Sequence, residues 1–198
     1  MQVLLLLSLS LAVPSRGQEE TIIKTWKVVG PFWEGPREVL IDHLVPYGGE
    51  QSVIPSDTQR FFSLHSDSGI VRWFSVNTES SLVTVKYPRT NWDFLEKIYG
   101  GVGTLATGYA YGEVTSLQDR TALVFIKKAG TFTINGTKYV GEQYSYDYTL
   151  MPVRLKKGKN RILVRFSAYG DTQFEFKILP PKSSVVVLRD LTVPDIIL

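Results

Sequence analysis

The chain contains no cysteine, which excludes disulfides, zinc held by thiolates and a cysteine nucleophile. Histidine is almost as scarce, since His43 and His65 are the only two in 198 residues. Any imidazole chemistry must pass through one of them. No Gly-x-Ser-x-Gly pentapeptide occurs, no His-x-x-x-His and no Asp-x-Asp-x-Asp-Gly calcium loop, so the local signatures of an α/β-hydrolase nucleophile and of common metal sites are missing. The glycine-rich stretch "YGGVG" (99–103) lacks the lysine and the preceding buried strand of a phosphate loop. No cofactor or metal is expected from these residues.

Neither sign of charge dominates, with 22 basic and 19 acidic side chains. The densest basic run, "VRLKKGKNRILVR" (153–165), places its lysines in a solvated turn and alternates its arginines with Ile162, Val164 and Phe166. It is the pattern of a strand beside a turn, and no nucleic-acid partner is expected. A hydrophobic run long enough to span a bilayer is also lacking. The apolar stretch Val3 to Val13 is roughly half the ~20 residues a crossing helix needs. With Pro14, Ser15 and Gly17 behind it, that stretch has the form of a secretory leader over residues 1–17. The expected protein is therefore secreted or periplasmic, and it has no membrane span once the leader is removed.

What the chain does have is alternation. Apolar and polar residues take turns in "TIIKTWKVV" (21–29), "IVRWFSV" (70–76), "LVTVKY" (82–87), "TLATGYAYGEV" (104–114) and "TALVFIKK" (121–128). They do so again in "TFTI" (131–134), "TKYV" (137–140), "LMPVRL" (150–155), "NRILVRFS" (160–167), "TQFEFKI" (172–178) and "SVVVL" (184–188). Period two marks half-buried strands, and about ten short ones separated by Gly, Asn and Asp imply an all-β antiparallel sandwich of jelly-roll or galactose-binding-like kind. The domain is expected over 18–188, and helix is limited to 36–44 and to 90–97, the latter capped by Thr90.

Two hairpins follow from the pattern. Asn135-Gly136 suits a two-residue type I′ turn, in which both residues take positive φ, Ile134 pairs Thr137 and Phe132 faces Tyr139. The three residues Tyr169, Gly170 and Asp171 would join 160–167 to 172–178, setting Val164 opposite Phe176, Ile162 opposite Ile178 and Arg165 opposite Glu175 on a solvent face. Gly158 and Asn160 fall in a further turn. Asn135-Gly136-Thr137 also fits the N-glycosylation acceptor pattern, a second reading of residues the hairpin accounts for.

Candidate chemistry is thin. His65 lies beside Ser66 and Ser68 in "LHSDSG", and Glu142 and Asp147 are a possible carboxylate pair for glycoside hydrolysis. Binding is better provided for. Tyr144, Tyr146 and Tyr148 share one side of an extended segment, and with Trp33 and Trp92 they could stack on a carbohydrate or simply cover one end of the sandwich.

Several phrases occur together: "WKVVGPF" (26–32), "YGGE" with "IP" (47–55), "GYAYGEV" (108–114), "FTINGTKYVGEQY" (132–144), "MPVRLKKGKNRILVR" (151–165) and "DLTVPDI" (190–196). Together they resemble the amino-terminal β-sandwich region of secreted bacterial prolyl oligopeptidase-like α/β hydrolases. The resemblance implies a non-catalytic module, with Gly30, Pro31, Asn135, Gly136, Gly158 and Asn160 as structural positions. It also implies a catalytic domain further along the same polypeptide, and residues 189–198 then read as the start of a linker to it. Glu142 stands where that pattern has an aspartate.

Overall fold

A computed structural model describes residues 20–34, 41–144 and 150–181. The expected leader, the strand at 184–188, the linker at 189–198 and residues Tyr146, Asp147 and Tyr148 lie outside them.

Twelve strands form among the described residues: β1 (Thr25–Trp33), β2 (Phe61–Phe62), β3 (Ile70–Val71), β4 (Phe74–Asn77), β5 (Leu82–Val85) and β6 (Leu105–Ser116). They continue with β7 (Arg120–Lys127), β8 (Ala129–Ile134), β9 (Thr137–Glu142), β10 (Leu150–Leu155), β11 (Gly158–Tyr169) and β12 (Thr172–Leu179). The helices are a single turn, α1 (Gly49–Ser52), and α2 (Trp92–Tyr99). Two antiparallel sheets result, ordered β4-β1-β6-β11-β8-β9 and β10-β7-β12-β5, with a small β2-β3 ribbon apart. Pro152 falls on β10, an edge strand, the place in a sheet where a residue without an N–H is tolerated.

The alternating residues of facing strands meet between the two sheets. Val124 and Ile126 of β7 and Phe174, Phe176 and Ile178 of β12 close on Trp26, Phe132, Val164 and Phe166 from the other sheet. Trp26 meets Phe174 and Phe176 edge-on at 5.4 and 5.6 Å between ring centres, the geometry that the ring quadrupoles favour.

A second core lies on the outer face of the six-stranded sheet. There Val29, Phe32, Tyr109, Tyr111 and Leu163 are covered by Leu44, Val53, Phe61, Val71 and Trp73. The segment 41–73 therefore acts as a cover, and β6 and β11 are buried on both faces. Strand β1 changes face at a register shift between Val29 and Phe32, where Gly30 has φ 137° and the Gly30-Pro31 peptide is cis.

The Asn135-Gly136 turn has φ of 52° and 86°, and the ladder sets Ile134 against Thr137 and Phe132 against Tyr139, whose rings stack at 5.1 Å. The second expected hairpin does not form. β11 pairs with β6 and β8 and β12 with β5 and β7, so the Tyr169–Asp171 turn carries the chain from one sheet to the other. Val164 and Phe176 do share a core, but from opposite layers. The reason is that β11 is held by a ladder with β6 along its whole length, from Gly158–Ser116 to Tyr169–Leu105, while β12 lies between β5 and β7 in the other sheet.

Two smaller expectations are corrected. Asn91, one residue after Thr90, caps α2, its Oδ1 accepting from the Phe94 amide at 3.0 Å. Of the expected 36–44 helix, Ile41–Leu44 is non-helical; a short 3-10 turn, Val45–Tyr47, comes after it.

Candidate functional site

The densest collection of charged groups lies beneath the cover. Arg165 stands opposite Tyr109 in the β6–β11 ladder, on the outer face of the sheet. Its Nη2 donates to Glu34 Oε1 at 2.8 Å and its Nη1 to Glu50 Oε1 at 3.1 Å. All three side chains are 7% exposed or less, so this is a buried ion triad and not the solvent-facing pair with Glu175 that the sequence pattern implied. Lys138 of β9 donates to Glu50 Oε2 at 2.9 Å from the rim.

Local turns aim these groups. Asp42 accepts the Leu44 amide on Oδ1 at 2.8 Å and the Glu50 amide on Oδ2 at 2.9 Å, which pins α1 over the sheet and turns Glu50 inward. Gly49 allows that closeness, because a Cβ there would sit 2.6 Å from Asp42 Oδ2. Tyr109 donates its hydroxyl to the Ile41 carbonyl and accepts the His43 amide, both at 3.3 Å. The His43 ring stacks on Phe32 at 4.6 Å with 5° between planes.

The electrostatics follow from burial. Burial lowers the His43 pKa, the Arg165 charge lowers it further, and Glu34, Asp42 and Glu50 oppose both. Burial likewise raises the Tyr109 pKa. Burial would lower the pKa of Arg165, but Tyr109, Glu50 and Glu34 around it reverse the sign. The cluster therefore centres on a fixed cation, Arg165, with an imidazole that favours its neutral form beside it. Glu34 Oε2 and His43 Nε2 are both buried without a hydrogen-bond partner.

Outside this cluster lies a shallow cleft of about 450 Å³, lined by Asp42, Gly48, Gly49, Glu50 and Lys138. Both oxygens of Asp42 and of Glu50 are already occupied by protein donors. Each of these oxygens accepts one protein donor, which ties both carboxylates into the cover.

The residues singled out from sequence are dispersed. Trp33 ends β1 and is 47% exposed. Trp92, expected in an exposed position, is half-buried at the start of α2; its Nε1 donates to Asp171 Oδ1 at 3.0 Å and its ring packs near Tyr87 and His65. Tyr144 is 76% exposed just past β9. Gln143, its neighbour, donates to the Ser167 carbonyl at 3.1 Å, so Tyr144 and Trp33 belong to the same end of the six-stranded sheet.

The turn residues form a unit of their own. Asn160 is fully buried; its Oδ1 accepts from the Lys156 amide and from Asn135 Nδ2, both at 2.8 Å, and its Nδ2 donates to the Lys156 and Gly158 carbonyls. Asn135 Oδ1 in turn accepts the Arg161 amide at 2.9 Å. Gly158 has φ 90°. Asn160 thus leaves the solvated turn in which the sequence placed it.

The loop at His65 contains no nucleophile–base pair. His65 Nε2 bonds the Gly103 carbonyl at 2.8 Å and Nδ1 is buried without a partner, while Ser66 and Ser68 both donate to the Ile70 carbonyl. Burial lowers the His65 pKa and the Gly103 bond partly opposes it. Glu142 is buried too, its Oε1 accepting the Tyr144 amide. Among the described residues, no group of three or more His, Asp or Glu side chains is placed to hold a metal ion, and no helix is long and apolar enough to cross a membrane.

The sequence reading missed Glu34, Asp42, Glu50, Lys138 and Arg165 as a unit. A signal existed: "LATGYAYG" is small or apolar on both faces, which marks β6 as doubly buried and obliges a neighbouring strand to bury its own outward residues.

No protein-family profile matches the chain, and none of the curated proteins does. Among solved structures it is similar to a beta-glucosidase from Kluyveromyces marxianus, at 13% identity and a TM-score of 0.40. That likeness takes in 79% of this chain and 17% of the other. Nothing about the chemistry of this chain follows from it.

Proposed function

We propose that the chain is a non-catalytic β-sandwich module that serves a secreted or periplasmic hydrolase of the prolyl oligopeptidase-like kind by packing against its catalytic domain in the same polypeptide. The observation that carries the reading is the engagement of its reactive groups. Asp42, Glu50 and Arg165 are tied to one another or to backbone, and both histidines are held below their ordinary pKa by burial. Such an arrangement holds a cover on a sheet, and its unpartnered atoms, His43 Nε2 and Glu34 Oε2, are buried and do not line the cleft beside it.

Packing is supported by apolar side chains gathered at one end of the sandwich. Phe94, Ile98 and Tyr99 of α2 are each more than half exposed, and Trp33 and Tyr169 stand exposed at the same end. Positions 94 and 98 are one helical turn apart and make one stripe. The purified chain should turn over no chromogenic ester, prolyl peptide or aryl glycoside above the buffer rate, and His43→Gln and Glu50→Gln should lower its melting temperature only. A turnover that either substitution abolishes would refute the reading.

A second reading, a carbohydrate-binding module, is favoured by the joint exposure of Trp33 and Tyr144 at that end. Titration against insoluble and soluble polysaccharides tests it. Binding that Trp33→Ala weakens at least tenfold would support it, and absence of binding to every polysaccharide would retire it.

A further inference from the structure

A second cleft, of about 470 Å³, opens on the other side of the Gly30 bulge, between the loop after His65 and the start of β4. Arg72 and Arg89 both line it, and neither has an ion-pair or hydrogen-bonding partner for its guanidinium among the described residues. No acidic side chain lines it. Trp73 and Phe74 supply an apolar wall, and Ser66 and Ser68 bring two hydroxyls 3.3 Å apart.

The backbone is specialised here. Arg89 takes φ 61°, a left-handed conformation rare for a residue with a long side chain, and its carbonyl accepts the Asp67 amide at 3.1 Å. That bond fastens the Arg89 turn to the Ser66–Ser68 loop. The same loop is closed from within: Ser66 and Ser68 both reach the Ile70 carbonyl, at 3.0 and 3.1 Å. That carbonyl has two lone pairs and takes both protons, so the serines shape the wall of the cleft and the anion contact falls to the arginines.

From this geometry we infer that the Arg72–Arg89 cleft binds an oxyanion, a carboxylate or sulfate, carried on a small ring that stacks against the apolar wall. Two guanidiniums offer planar forks that match the paired oxygens of such groups. The volume is that of a monosaccharide-sized to drug-sized ligand. The inference is independent of the accessory reading above, because it uses none of the residues of the buried triad or of the α2 end.

The test uses isothermal titration or chemical-shift mapping of the purified chain with three probes: glucuronate, inorganic sulfate and glucose. Glucuronate is expected to saturate the site with a Kd of about 1 mM or tighter, with glucose at least tenfold weaker. Sulfate binding without a glucuronate advantage would still place the oxyanion site, and would assign the recognition to the charge alone. Both arginines are exposed, so Arg72→Gln and Arg89→Gln should fold, and each should weaken glucuronate about tenfold or more. Arg72→Lys keeps the charge but loses the fork, and should recover only part of the affinity. Glucose binding as tightly as glucuronate, glucuronate affinity unchanged in both Gln variants, or no saturable binding of either anion would overturn the inference.

Discussion

Replacing Arg165 by methionine removes the cation from the buried triad while keeping a flexible apolar stem. Glu34 then loses its 2.8 Å donor although its Oε2 already lacks a partner, and Glu50 retains Lys138 alone at the rim. Two carboxylates remain in a region no more than 7% exposed. Removing one partner of a buried pair typically costs about 3–5 kcal/mol, because a charge is left uncompensated. For a domain of this size that corresponds to a melting temperature lower by roughly 6–20 °C. Urea unfolding followed by tryptophan fluorescence gives the free energy directly. Lys24→Ala, which breaks an exposed pair with Glu79, is the control, and about 0–1 kcal/mol is expected there. A double-mutant cycle with Glu34→Gln should show coupling, the second change costing less in the Arg165→Met background. If Arg165→Met cost no more than Lys24→Ala, the triad would carry no stability and the latch would be wrong.

Other perturbations follow from the same geometry. Asn160→Ala deletes four hydrogen bonds from a fully buried amide, and about 2–4 kcal/mol should be lost in the same assay. Gly136→Ala introduces a Cβ at φ 86° that lies 2.8 Å from the Gln51 carbonyl oxygen, costing about 1–3 kcal/mol. Both histidines have folded pKa values below 6.5, so as pH falls through 6.5 the unfolded state binds more protons than the folded one. Stability should be full above about pH 7 and decline below it, and His43→Gln should flatten part of the slope of urea midpoints between about pH 7.5 and 5.5. Glu113 is held low by Lys159 and Tyr111, so its contribution belongs to a separate window, lost as pH falls below 4.5.

The parts of this fold that were legible in the sequence are those decided locally. Asn135-Gly136 fixes both the turn and its register within four residues, so the Phe132–Tyr139 pair could be derived from spacing. The faces of β7, β11 and β12 were equally readable, since alternation assigns Val124, Val164 and Phe176 to an interior whatever they pair with. Partnership was not readable. A short Gly-containing turn joins strands within a sheet or across two sheets with the same residues, and only the longer β6–β11 ladder decides that the Tyr169–Asp171 turn crosses. Arg165 was misassigned for a related reason: its partners lie 131 and 115 residues away, and period two cannot report that the outer face of a sheet is covered. The aromatic candidates divide similarly. Trp33 and Tyr144 are exposed at one end, but the Trp92 indole is committed to Asp171, a contact spanning 79 residues.

Amide hydrogen exchange on the Arg165→Met protein measures most directly whether the buried charges hold the cover in place and do nothing else. The latch predicts faster exchange at Leu44, Glu50 and Val53, with the inner strands β7 and β12 keeping their protection relative to one another. Uniform loss across both cores, or unchanged protection in the cover, would contradict it.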